Sequence, residues 1–88
     1  MKWTIEFTSD SAREFKKLDR YTQKMIRGWM VKHLLDADDP RATGKPLKAN
    51  LAGYWRYRIG DYRMICDIKD ERIVIIIVKI GHRREVYD

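Results

Sequence analysis

Three arginines stand around one tight turn in the segment Gly53-Tyr54-Trp55-Arg56-Tyr57-Arg58-Ile59-Gly60-Asp61-Tyr62-Arg63-Met64-Ile65-Cys66-Asp67-Ile68. A two-residue loop that begins with glycine favours a type II′ hairpin, because its first central residue needs a positive φ. With Ile59 opposite Tyr62, Arg58 faces Arg63, and period-two alternation puts Arg56, Arg58 and Arg63 on one surface of the sheet. Trp55, Tyr57, Ile59, Tyr62, Met64, Cys66 and Ile68 take the other surface. Like charges directly opposite one another weaken a strand pair, so the arginine patch is explained more naturally by an anionic ligand than by folding. RNA or an acidic protein would serve. Guanidinium groups grip phosphate oxygens in pairs and keep their charge, so they are suited to stabilising a phosphate that gains charge during reaction.

A second polar group closes the chain: Gly81-His82-Arg83-Arg84-Glu85-Val86-Tyr87. It can fold over the face that carries the arginines. His82 has the only side chain in this set that ordinarily titrates near neutrality, which makes it a candidate acid or base. Lys45 and Lys48 are candidate phosphate contacts. Each feature also has a plainer explanation. Arg56 and Arg58 are equally the solvated charges that keep an edge strand from aggregating, and Arg83, Arg84 and Glu85 suit surface ion pairs. Tyr87 suits a packing role near a terminus. His33 and Trp29 lie on an apolar helical stripe and read as core, with no chemistry assigned. Gly44-Lys45 lacks the glycine spacing and the following Ser or Thr of a nucleotide-phosphate loop. No converging set of carboxylates, histidines or cysteines suggests a metal or other cofactor, and Cys66 reads as a buried structural thiol.

These residues need a scaffold, and the rest of the chain supplies one. Lys2 to Phe7 alternates, with Trp3, Ile5 and Phe7 predicted inward on a strand. Ser11-Ala12-Arg13-Glu14 fits a capping box ahead of a short helix that buries Ala12, Phe15 and Leu18. A second helix from near Asp19 carries Met25, Ile26, Trp29, Met30, His33 and Leu34 as a stripe of helical period and stops before Asp36. Arg41 to Ala52 reads as a loop punctuated by Gly44 and Pro46. The run Ile73 to Val78 is continuously β-branched, which predicts a central strand covered on both faces. The order is β-α-α-β-β-β: a small single α+β domain over residues 1–88, a mostly antiparallel sheet with two N-terminal helices on one face.

Size and charge agree with this. At 88 residues the chain can bury one modest core. With 44% hydrophobic and 36% charged residues it should fold. Nineteen Lys and Arg against thirteen Asp and Glu leave a formal charge of +6, which favours acidic or phosphate-rich partners. The N-terminus lacks a charged start followed by an apolar run, and the longest apolar run is too short to cross a bilayer, so the expectation is a cytoplasmic protein without membrane partners.

Taken together, Gly44-Lys45-Pro46-Leu47-Lys48, Gly53 to Arg63 and Gly81 to Tyr87 resemble the RelE/ParE superfamily of toxin-antitoxin toxins, the RelE-like ribonucleases in particular, and the likeness runs over nearly the whole chain. What the resemblance implies is a metal-independent endoribonuclease that cleaves messenger RNA in the ribosomal decoding site and is neutralised by a cognate antitoxin. By position in the motif, Arg56 and Arg58 match two basic strand residues of the RelE active site. Arg63 matches the phosphate-binding arginine, Arg83 the arginine after the last strand and Tyr87 the terminal aromatic; Lys45, Lys48 and Arg84 are the expected RNA contacts. The sequence departs from the pattern in two places. The strand pair is arginine where the best-known RelE enzymes have lysine, and with one residue after Tyr87 the C-terminal helix of some relatives is expected to be absent. Two other functions fit the same chain: a ParE-like inhibitor of DNA gyrase, which needs no RNA-cutting residues, and a basic RNA-binding module without catalysis.

Overall fold

The computed structural model describes residues 2–86. In chain order they form strand β1 (Thr4–Phe7), helix α1 (Ser9–Lys16), and helix α2 (Arg20–Met30), which runs on into a π turn (Val31–Leu35). Strands β2 (Lys45–Pro46), β3 (Trp55–Ile59), β4 (Tyr62–Lys69) and β5 (Val74–His82) follow. The strands make one sheet in the order β1-β5-β4-β3-β2. β1 runs parallel to β5, and every other neighbouring pair is antiparallel. The result is the expected α+β domain, with a mixed sheet and one strand more than the sequence reading gave. That strand, β2, lies inside the predicted loop; two residues long and half proline, it has no periodicity to detect, and proline is tolerated there because β2 is an edge.

The helices cover one face. Ile26, Met30 and Leu34, spaced four apart on α2 and its π turn, are buried with Phe15 against Tyr57, Ile59, Met64, Cys66, Ile75 and Ile77. Fully burying each such aliphatic side chain is worth about 1.5–3 kcal/mol, so this layer is the main source of stability. Between the helices, the Gln23 side-chain amide donates to the Leu18 and Phe15 carbonyls at 2.9 and 3.1 Å, which ties the start of α2 to the end of α1. The opposite face carries a second, smaller cluster of Leu47, Ile65 and Val86.

Several local expectations change. The cap of α1 is Thr8, whose hydroxyl accepts from the Ser11 N–H at 3.1 Å, so Ser11 is the inner member of the capping box and not its start. Ser11 is fully buried, and its hydroxyl donates to the Ile77 carbonyl at 2.6 Å, which stitches α1 to β5. Glu14, released from capping, accepts from the Ile80 N–H at 2.9 Å. Phe7 was expected inward but is 37% exposed, lying against Phe15 at the sheet margin. Ile73 is not in the strand: it sits at φ +55° after the turn Asp70–Arg72 and is exposed. Nor is β5 covered equally on its two sides. Ile75 and Ile77 face the helices and are buried, whereas Ile76 and Val78 on the other side are only half-buried.

Candidate functional site

The hairpin has the predicted register. Gly60 has φ +60° and Asp61 does not share a positive value, as a type II′ turn requires. Ile59 pairs with Tyr62, Arg58 with Arg63 and Arg56 with Ile65, so Arg56, Arg58 and Arg63 lie on the face away from the helices. Tyr57, Ile59, Met64, Cys66 and Ile68 are in the main core on the other side. Burial raises the Cys66 thiol well above its ordinary value, which leaves it protonated and unsuited to nucleophilic chemistry.

The segment after β5 turns back and is tied to the hairpin tip. The Arg83 N–H donates to the Asp61 carbonyl at 2.8 Å, and the Arg83 guanidinium stands 4.0 Å from the Asp61 carboxylate. The Glu85 and Val86 N–H groups donate to the His82 carbonyl, forming a turn that delivers Val86 onto Ile65 and Leu47. Val86 is 1% exposed, so the turn is anchored by packing as well as by hydrogen bonds. The consequence is a depression of about 90 Å³ lined by Arg58, Gly60, Arg63 and Arg83. Three arginines, from two strands and the tail, thus line one small volume. That volume has the size and charge for a single phosphate.

The other predicted site residues fall elsewhere. Arg56 is only 7% exposed; it sits behind the loop that runs through β2, where it lines a larger cavity with Lys45, Lys48 and Asn50. Burial first, and then the charges of Arg58 and Arg63, pull its guanidinium below the usual arginine value. Lys45, Lys48 and Arg84 are exposed. His82 pairs with Tyr62 at the end of β5 and meets that ring edge-on at 5.5 Å, while its Nδ1 accepts from the Arg84 N–H at 3.2 Å. Paired residues share a face, so His82 belongs to the helix side of the sheet with Tyr62, across from Arg58 and Arg63. The acid or base role expected for it at the arginine site would require the other face. Tyr87 lies outside the described residues. Among those residues no group of three His, Cys, Asp or Glu side chains could hold a metal ion, and no helix is long and apolar enough to cross a membrane.

Two contributors were missed in the sequence. Asp61 was read only as a turn residue, yet its carbonyl positions Arg83. Ile65 is an apolar residue on an arginine-bearing face; that mismatch was the available signal that Val86 and Leu47 would cover it.

Comparisons with known proteins converge on toxins of toxin-antitoxin systems. The family model described as the ParE toxin of type II toxin-antitoxin system, parDE, matches residues 5–87. Toxin RelG of Mycobacterium tuberculosis is 31% identical over 87 residues, covering 99% of this chain and 98% of that protein. The mRNA interferase toxin RelE of Escherichia coli K12 is 24% identical over 90 residues, covering 99% and 92%. Among solved structures, the toxin-antitoxin complex RelBE2 of Mycobacterium tuberculosis superposes with a TM-score of 0.83 at 30% identity, covering 94% of this chain and 93% of that one. The isolated Escherichia coli RelE toxin superposes with a TM-score of 0.71 at 16% identity, covering 91% and 83%, a likeness of fold.

Proposed function

This chain belongs to the RelE/ParE superfamily and is a RelE-like toxin of a toxin-antitoxin system, and on that premise we propose that its arginine depression cleaves messenger RNA in the ribosomal decoding site. The observation that carries this reading is the convergence of Arg58, Arg63 and Arg83 on one phosphate-sized volume. In the reaction a ribose 2′-oxygen forms a bond to the adjacent phosphorus and the bond from phosphorus to the 5′-oxygen breaks. The 2′-hydroxyl gives up a proton, the 5′-oxygen takes one, and a cyclic phosphate and a 5′-hydroxyl remain. Negative charge grows on the phosphate oxygens as this happens. Arg63, half-buried and fixed by β4, and Arg83, held at the hairpin tip, stabilise that charge. Arg58, exposed between them, lowers the cost of ionising the 2′-hydroxyl by proximity. Arg56 adds its field from behind without touching the phosphate. Tyr87, which follows the anchored Val86, orients a base by stacking. Arginine is a poor proton acceptor at neutral pH, so the chemistry rests on charge stabilisation and substrate conformation, with proton exchange by water or the ribosome.

The partner is a cognate antitoxin, and its acidic side chains neutralise the toxin by occupying the same arginines. The test is purified toxin added to ribosomes programmed with a defined message, with new 5′ ends mapped. Breaks within the reading frame that disappear with Arg63→Ala support the nuclease. The family model's description favours a second reading, a gyrase-directed toxin. An Arg83→Ala variant that still arrests growth fully, with intact transcripts, would establish that reading instead.

A further inference from the structure

The arginine depression does not end at Arg58. The same side chain also lines a neighbouring cavity of about 330 Å³, whose walls include Trp29, His33, Gly44 and Lys45. This is the size of a small-ligand cleft, and it opens where β3 continues past the two residues of β2. His33 was expected in the core, but Leu34 takes the buried position and His33 is left half-buried at the cavity wall. It is carried by the π turn that ends α2, an interruption of α-helical geometry often found at functional positions.

The cavity is built rigidly. The His33 ring lies against Trp29 with centroids 4.7 Å apart, and Trp29 lies against the fully buried Tyr57 at 5.3 Å. The Tyr57 hydroxyl in turn donates to the Pro40 carbonyl at 2.6 Å. On the other side, the Trp55 indole N–H donates to the Thr43 carbonyl at 2.7 Å. Gly44, at φ +81°, lies so close to β3 that a Cβ there would meet the Arg56 carbonyl at 2.4 Å. An aromatic wall rooted in the core, faced by a pinned basic loop and joined by Arg58 to a phosphate-sized depression, has the components of a single-strand subsite.

We propose that this cavity receives a nucleobase next to the scissile linkage, stacked on the His33 imidazole, while Arg58 and Lys45 hold the intervening backbone. The inference rests on the nuclease reading and extends it from one phosphate to a short strand. Its test uses intact toxin on ribosomes programmed with messages that carry a single abasic nucleotide at each position flanking the cut. At one flanking position, loss of the base lowers the wild-type cleavage rate about tenfold, the range of one stacked base. His33→Ala lowers the rate on the intact message by the same factor and is then insensitive to that abasic position, whereas His33→Phe keeps the wild-type pattern. The subsite is overturned if no flanking position is sensitive, or if His33→Ala retains the full abasic penalty. It is overturned as well if both His33 variants melt lower and lose rate equally on every template, which identifies a packing role. Cleavage that needs Arg63 but ignores His33 removes the subsite alone; no cleavage by wild-type toxin removes the nuclease reading and the subsite together.

Discussion

Arg83 and Arg84 are adjacent and both exposed, yet they are not equivalent. Only Arg83 lines the depression, so Arg83→Ala and Arg63→Ala are each expected to slow cleavage about 10²–10³-fold, the usual cost of removing one donor to a charged transition state. Arg84→Ala should stay within about twofold of wild type, as for an exposed surface charge. Single-turnover cleavage on programmed ribosomes measures all three, and equal losses for Arg83 and Arg84 would mean that only total charge matters. His82→Gln should leave the pH dependence of cleavage unchanged, because His82 pairs with Tyr62 and shares its face; a titration near neutrality that vanishes in the variant would return His82 to the mechanism. What the sequence disclosed at this scale was the face each arginine occupies, since alternation about a type II′ turn determines it. It did not disclose depth. Arg56 and Arg58 are two residues apart and alternate identically, but the loop through β2 covers one and leaves the other open, and that depends on contacts between segments distant in sequence.

At the scale of elements, two devices hold the site together. Ser11 both completes the cap of α1 and bonds the Ile77 carbonyl from a fully buried position. Ser11→Ala removes one of two donors to the Ile77 carbonyl, which keeps the Thr8 N–H at 3.1 Å, so urea denaturation should show a loss of about 0.5–1.5 kcal/mol, that of one hydrogen bond; a neutral result would mean that water replaces the hydroxyl. The second device is the close approach of the loop to β3 at Gly44. Gly44→Ala combines a left-handed backbone with a Cβ inside contact distance of the Arg56 carbonyl, the Trp55 indole and Tyr57, so a destabilisation of about 2 kcal/mol or more is expected. The helices and the hairpin were legible because each has a period extending over several residues, and the last strand because its β-branched run is unbroken. The true cap of α1 was not, because Thr8, Ser9, Asp10 and Ser11 all carry capping chemistry and only the packing of α1 on β5 selects among them. Ile73 was misplaced for a related reason: its β-branched side chain says strand, and the turn Asp70–Arg72 overrides it by requiring φ +55° at that position.

For the molecule as a whole, charge and pH set the working range. With a formal charge of +6 and the proposed arginine grip on RNA, the toxin should bind programmed ribosomes less tightly as salt rises, and Arg63→Ala should reduce the slope of log affinity against log salt by about one. Hydrogen bonds from Arg41 hold the Asp70 carboxyl below its ordinary 3.8, and bonds from Lys2 do the same for Asp38. The unfolded chain thus takes up these protons first, and the stability they contribute, complete above that value, is lost as pH falls below it. Burial acts in the opposite direction on Cys66, raising it above its ordinary 9.0, so stability falls again as pH rises past that point. Melting temperature against pH should form a plateau at about pH 5 to 8 with a fall on each side, and Asp70→Asn should soften the acid limb. The parallel pairing of β1 with β5 joins Thr4 to Val74, and in the sheet β5 lies between β1 and the arginine hairpin. Until β5 has emerged from the peptide exit, a nascent copy has β1 unpaired and Arg83 away from the hairpin tip, so the arginine site cannot assemble while that strand is still inside the ribosome that makes it.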